Sequence, residues 1–422
     1  MKHFNKLLIP VTFLCVLLTG CTTSKVDNDK INLEFWTLQL SNQKEFVQNV
    51  INKYEKKHPN IIIKWVDVPF SEGEKRALAS VLSGSTPDII NMNPSFAATM
   101  ASRGALLTLN DKIPTNTKNE YIDTAWSASS TNDKYFGIPW YITSSVTIYN
   151  KEILKKSGLS MDNPPKTYSE LINTTQTIKK KSGKYAFLPN LTEDGYLLKV
   201  FNKYNIAIVN KEKNKALFNT DEAAKILDQW VEIYSKGLIP PESINQTHRV
   251  SLERYESGET AFIIAGANLL KNIKDDAPLV YVNTDASGQI KGSNNKVDFS
   301  IMNLVIPIKS KHPKEAIDFS LFLTNKENQL AFSKITPTLP SIKSALNSDY
   351  FKTVNKNNLI EKARGISAKQ LNNAIKPIPI LNNQKDLIEA FDNQIQKALL
   401  KEKSSKQALD DAAKEWNKIL KG

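Results

Sequence analysis

Residues 134–154 read KYFGIPWYITSSVTIYNKEIL, and the organisation of the chain turns on this stretch. Gly137-Ile138-Pro139 forms a turn whose proline fixes φ. Trp140 and Tyr141 follow side by side. Residues 142–148 are rich in β-branched side chains and read as a strand. Asn150-Lys151-Glu152 then opens a helix. A fixed turn, two rings and a strand leaving in a new direction describe a chain crossing from one lobe to another. The plainer alternative is a buried strand carrying two core aromatics.

On the N-terminal side, residues 31–36 read as a strand. Residues 43–57 follow as an amphipathic helix with Phe46, Val47, Val50, Ile51 and Tyr54 on one face. His58-Pro59 ends it, residues 61–68 form a second strand and residues 72–83 a second helix. Gly84 to Asp88 turns into a third strand at 89–92. This alternation predicts a parallel, doubly wound sheet. On the C-terminal side, Thr167 and Glu170 make a capping box. Asn219 with Glu222 starts a helix whose stripe of Ile226, Leu227, Trp230, Val231 and Tyr234 places Trp230 in a core. Residues 262–266 and 301–308 read as strands, and 313–323 as a helix. Helices at 386–400 and 404–420 close the chain, the latter with a Ser404–Gln407 capping box.

A chain of 422 residues exceeds one ordinary core and suits two domains. Its 41% hydrophobic and 23% charged content is that of a globular protein. The formal net charge is +13, nearly all of it lysine, with arginine only at 76, 103, 249, 254 and 364. Scattered lysines lack the clustered guanidinium forks of nucleic-acid recognition, so no nucleic-acid partner is expected. A weak attraction to an anionic membrane surface is compatible with this charge.

The first six residues are basic, and residues 7–18 are apolar but short of the ~20 needed to span a bilayer. That pattern is a secretory signal over residues 1–20. Leu18-Thr19-Gly20-Cys21 resembles a bacterial lipoprotein box, which implies lipidation at Cys21. Cys15 lies within the leader, so no disulfide is expected in the mature chain. Residues 21–30 are polar and read as a tether.

Several segments together resemble extracellular solute-binding proteins, the capture subunits of ABC importers, and their sugar-binding group (maltose- and glycerol-phosphate-binding-like) in particular. Besides residues 134–154, they are Tyr54 to Ile61 (YEKKHPNI), Gly84 to Ile90 (GSTPDII), Gly258 to Gly266 (GETAFIIAG), Ser310 to Ala316 (SKHPKEA) with Leu339-Pro340, and Ala408 to Ala413 (ALDDAA). The resemblance covers nearly the whole mature chain. It implies a two-lobe α/β fold, each lobe a mainly parallel sheet flanked by helices. Three hinge crossovers are expected near 141–144, 299–303 and 336–340. The implied N-terminal lobe is 31–142 with 301–337, and the C-terminal lobe 143–300 with 338–422. It further implies ABC permease subunits with an ATPase behind them as partners, an extracytoplasmic and lipid-anchored location, and a monomer.

Catalytic patterns are missing from the sequence. Histidines 3, 58, 248 and 312 are far apart and show no zinc spacing. No serine elbow, phosphate-cradling loop or dinucleotide fingerprint occurs. Neither a metal nor a cofactor is expected, and no enzymatic activity. Glu193 and Asp194 are adjacent and do not by themselves make the carboxylate pair of a glycosidase.

A sugar needs a ring to stack on and forked polar groups for its hydroxyls. In doubly wound lobes both lie at strand C-termini. That rule selects Trp36, Thr37 and Gln39 after the first strand, and Asn91 and Asn93 after the third. It also selects Trp140 and Tyr141 at the crossover, Gly266 and Asn268 after the 262–266 strand, and Asp194 and Tyr196 in the second lobe. Trp140 is expected to be the main stacking platform. Trp36 suits a core as well as a site, and Asp88 suits a turn cap. Asn268 stands where relatives often carry an aromatic. Arg364, beside Gly365, could clamp a hydroxyl or a phosphate, or be a surface arginine on a loop. A glycerol-phosphate-type ligand and a membrane-anchored glycan hydrolase are the competing readings.

Overall fold

The computed structural model describes residues 30–131, 134–245, 248–375, 378–381 and 383–421. The expected signal, Cys21 and all but the last residue of the tether lie outside them. Among the described residues no helix is long and apolar enough to cross a membrane.

The strand–helix alternation forms as its patterning dictates: β1 (Ile31–Leu38), α1 (Lys44–Lys57), β2 (Ile61–Val68), α2 (Phe70–Ser83) and β3 (Ile89–Met92). Helix α1 buries Val47, Val50, Ile51 and Tyr54 at helical spacing. Gly84 ends α2 with φ of 78°, a left-handed position that glycine takes without strain.

The β-branched run at 142–148 is not one strand. It divides at Ser144 into the end of β4 (Ile138–Thr143) and most of β5 (Ser145–Asn150), which belong to different sheets. Later come α3 (Tyr168–Ser182), α4 (Asp221–Ser235), β6 (Phe262–Gly266), β7 (Thr284–Ser287), β8 (Val297–Asp298) and β9 (Ser300–Val305). The chain closes with α5 (Pro313–Leu323), α6 (Lys326–Ile335), β10 (Leu339–Pro340), α7 (Leu359–Gln370), β11 (Ala374–Ile375), α8 (Gln384–Leu399) and α9 (Ser405–Ile419). The capping box on α3 is present in both directions. Thr220 rather than Asn219 caps α4, because Asn219 donates instead to Asp410 across to α9.

The larger sheet has the order β10-β4-β9-β3-β1-β2. β1 runs parallel to β2 and β3, whereas β9 is antiparallel to β3 and β4. The expectation of a mainly parallel sheet therefore holds only for β1–β3. β9 comes back from the second lobe and enters from the opposite end. α1, α5 and α6 cover one face through Val50, Ile51, Phe319 and Phe332. α2 and the helix Pro94–Ser102 cover the other through Ala77, Phe96 and Met100.

The second sheet, β6-β5-β7, is antiparallel throughout, again against expectation. β5 enters it straight from the first sheet, with no helical crossover to bring it in parallel. The second lobe's main core gathers Tyr149, Phe201, Phe218, Trp230, Phe391 and Trp416. Trp230 is fully buried, as its stripe predicted.

The first two passages between the sheets lie at Ser144 and Phe299, where expected. Thr143 and Ser300 form the last pair of the first sheet, while Ser145 pairs with Gly266 and Asp298 with Ile375. The third falls later than the expected 336–340. Leu339 and Pro340 still pair with Ile142 and Tyr141, and α7 is the next element packed on the second sheet.

Candidate functional site

Strand directions define where the two sheets face each other. β1, β2, β3 and β4 all run the same way, and β4 ends at the Ser144 passage. Their C-terminal ends therefore point toward the second lobe. β5 starts at that passage and β6 runs against it, so the C-terminal end of β6 also lies there. Thr37, Gln39, Asp67, Asn93, Tyr141, Gly266 and Asn268 thus lie on the edges of the two sheets that face each other, where a doubly wound lobe presents its ligand.

On the first lobe this end carries a built polar cluster. In-register pairing sets Thr37 beside Asp67. The Thr37 hydroxyl donates to Asp67 Oδ1 at 2.7 Å, and the Leu40 amide donates to the same oxygen at 2.9 Å. The Trp65 indole N–H donates to Thr37 Oγ1 at 2.8 Å. The Tyr141 hydroxyl has its pKa pushed up, first by burial and then by the Asp67 carboxylate. Trp65 and Tyr141 are half-buried. Gln39, exposed, holds φ of 55°, a left-handed conformation that costs a non-glycine residue ~1 kcal/mol or more.

Several expected site residues are placed elsewhere. Trp140 is fully buried and stacks on Phe332 at 5.3 Å, with Phe35 at 6.2 Å. Alternation along β4 should have sent Trp140 and Tyr141 to opposite sides. Instead a bulge pairs Met302 with Tyr141 and Asn303 with Pro139, leaving Trp140 as the extra residue. Both rings now meet Phe332. Gly137 allows the same close approach, since a Cβ there would lie 2.9 Å from that of Asn303.

Asn91 is also fully buried, because β3 lies inside the sheet between β1 and β9; its amide donates to the Asn303 carbonyl at 3.2 Å. Asn93 caps the helix Pro94–Ser102 by accepting from the Phe96 amide. Asp88 has a structural role, but not the turn cap expected of it: it ties β1 to the 310 loop by accepting from the Glu34 amide and the Ser310 hydroxyl. Trp36 is half-buried against the α2 side and donates to Glu34.

In the second lobe, Asp194 is exposed and paired with Lys199. Tyr196 packs edge-on against Trp230 at 5.7 Å with its hydroxyl buried, so its ring belongs to the lobe core. Asn268 is exposed just before the helix Leu269–Asp276. Arg364 is not on a loop: it lies in α7, its guanidinium 3.9 Å over the Tyr350 ring and 3.6 Å from Glu361. Among the described residues no group of three His, Cys, Asp or Glu side chains could hold a metal.

The sequence profile of the bacterial extracellular solute-binding protein family matches residues 39–330. The chain belongs to that family. A proposed oligosaccharide periplasmic-binding protein from Synechococcus sp. MITs9220 superposes with a TM-score of 0.85 at 31% identity, covering 92% of this chain and 99% of that one. The galactooligosaccharide-binding protein of Bacillus subtilis (strain 168) is 23% identical over 374 residues, 87% of this chain and 85% of the relative. The sn-glycerol-3-phosphate-binding periplasmic protein of Escherichia coli O6:K15:H31 is 22% identical over 417 residues, 92% of each chain. Extracellular solute binding for an ABC importer is the role of this family, whose members bind rather than catalyse, and the two-lobe fold found here is theirs.

Trp65, Asp67 and the packing partner Phe332 were not singled out from the sequence. Asp67 was within reach. The strand-end rule that selected Thr37 selects Asp67 once residues 61–68 are read as the second parallel strand.

Proposed function

We propose that this protein captures a carbohydrate, a mono- or oligosaccharide or a polyol derivative, and delivers it to an ABC permease by hinge closure without catalysing a reaction. The observation that carries the reading is the Thr37–Asp67–Trp65–Tyr141 cluster at the passage end of the first sheet. It offers two half-buried aromatic residues beside a carboxylate that accepts hydroxyl hydrogen bonds, the combination a pyranose requires. Gln39 and Asn93 extend it on the first lobe, with Gly266, Asn268 and Asp194 as its counterparts on the second. Closure follows from ligand contacts to both lobes, which shift the open–closed equilibrium. The lobes divide as residues 30–143 with 300–342 and 144–299 with 359–421. The chain works as a monomer held outside the membrane by lipid on Cys21, where two or more acyl chains make a stable anchor.

A screen of the mature protein by thermal shift tests this, with maltodextrins, galacto- and arabino-oligosaccharides, free pentoses and hexoses, and glycerol 3-phosphate. A ligand at ~100 times its Kd adds about 2.7 kcal/mol, an easily visible shift. Stabilisation by none of these ligands overturns the reading, and stabilisation by glycerol 3-phosphate alone replaces sugar capture with the glycerol-phosphate-type alternative. The phosphate reading draws on the glycerol-phosphate-binding relative, but Arg364, the guanidinium it counted on, is stacked on Tyr350 beside Glu361. Release of shorter products from an oligosaccharide would establish the hydrolase instead.

A further inference from the structure

Gln370, the last residue of α7, meets the first strand passage directly and reaches the second through Gln289. Its Nε2 donates to the Ser144 hydroxyl at 2.7 Å and to the Ser145 carbonyl at 2.6 Å, using both amide hydrogens. Its Oε1 accepts from the Gln289 amide at 3.1 Å. The Gln289 side chain then closes a ring on the second passage: Oε1 accepts from the Asp298 amide at 2.9 Å and Nε2 donates to the Asp298 carbonyl at 3.3 Å. Lys203 supports it, donating to Gln289 Oε1 at 2.9 Å and pairing with Asp298 at 3.4 Å. Ser144, Gln289 and Lys203 are all buried, so water does not compete for these bonds.

Every partner in this network belongs to the second lobe or sits at its border. Ser145 is in β5, Asp298 in β8, and Gln370 on a helix packed against β5 and β7. On the first-lobe side the Thr143–Ser300 pair is just as firmly held by its sheet. We infer that Gln370 is a positioning residue for lobe closure. It locks Ser144 and, through Gln289, Asp298 into the frame of the second lobe, so that both strands pivot together at the 143–144 and 298–299 peptide units. This rests on the hinge-closure reading.

The test exploits the direction of the bonds. Gln370→Glu keeps an oxygen for the Gln289 amide but loses both donors to Ser144 and Ser145. Gln370→Leu loses all three bonds at similar volume. Nitroxide labels at Lys44→Cys and Leu279→Cys, both exposed, report the distance between lobes in ligand-free protein. Hydrogen exchange reports the passages. We expect both variants to broaden or shift the interlobe distance distribution and to speed exchange across residues 143–146 at least tenfold. Only Gln370→Leu should also speed exchange at Gln289 and Asp298. A lower melting temperature with the wild-type distance distribution would mean ordinary packing and overturn the proposal. So would equal exchange at 289 and 298 in the two variants. The hinge reading is checked separately in the labelled wild-type protein: maltodextrin or galactooligosaccharide mixtures should shorten the interlobe distance. Failure there with the variant effects intact sinks sugar capture and leaves the coupling standing. Ligand-induced shortening with wild-type behaviour in both variants does the reverse.

Discussion

The Thr37 hydroxyl donates to Asp67 Oδ1 at 2.7 Å across the parallel β1–β2 pair, and the Leu40 amide shares the same oxygen. One carboxylate thereby holds the turn after β1 and orients the strand end facing the second lobe. Asp67→Asn keeps an acceptor for both donors, so stability should fall by only ~1 kcal/mol. A charged acceptor toward the ligand is lost, and calorimetric titration should show affinity weakened ~10–100-fold, in line with ~1.5–3 kcal/mol for a hydrogen bond to a charged group. Unchanged affinity would remove Asp67 from the site.

Trp140→Ala should cost ~3–5 kcal/mol of folding stability, because the ring is buried between Phe35 and Phe332. Its effect on binding should not exceed what the loss of folded protein explains. Denaturant melts alongside titration separate the two, and Trp140→Phe should recover most of the stability.

Tyr141→Ala should behave oppositely. The ring is half-buried at the passage end, and truncation there should weaken binding by roughly 2–4 kcal/mol while costing less stability than Trp140→Ala. Normal binding in this variant would hand the stacking role to Trp65.

Asp392, buried in α8, accepts from the Gly195 amide at 3.2 Å, and its other oxygen has no partner. Burial pushes its pKa up to about 7, with Asp194 and Glu193 adding and the Gly195 amide and Lys199 opposing. The folded state therefore keeps a proton that the unfolded chain releases near pH 4. Stability should fall as pH rises from about 4 to about 7 and level off above that. Asp392→Asn should flatten this fall and stabilise the protein at pH 8, on the order of 1–3 kcal/mol. A pH series of melts showing the same slope in both proteins would contradict the assignment.

Cys21→Ala should leave the precursor unprocessed or release the protein from the lipidated pool. Mass and partitioning identical to wild type would rule out lipidation at this residue.

What the sequence determined by itself was the elements that carry a strong short-range pattern. The 3.6-residue period of Val47, Val50, Ile51 and Tyr54 and the Thr167–Glu170 capping box are local free-energy preferences, and each produced its element. Residues 137–141 lie just before the crossover at Ser144, but the expected turn does not form, because Ile138 and Pro139 already pair in β4. What lay beyond it was decided only in three dimensions. Strand direction in each sheet depended on which end the chain enters from, so β5 and β9 run against their neighbours although nothing in their residues says so. The fate of Trp140 depended on a bulge set by its partner β9, because burial of a ring is a property of what packs on both sides of it. The Gln370 network joins residues at 144, 289, 298 and 370, positions too far apart in sequence for any pattern to connect and brought together only by the packing of α7 on the second sheet.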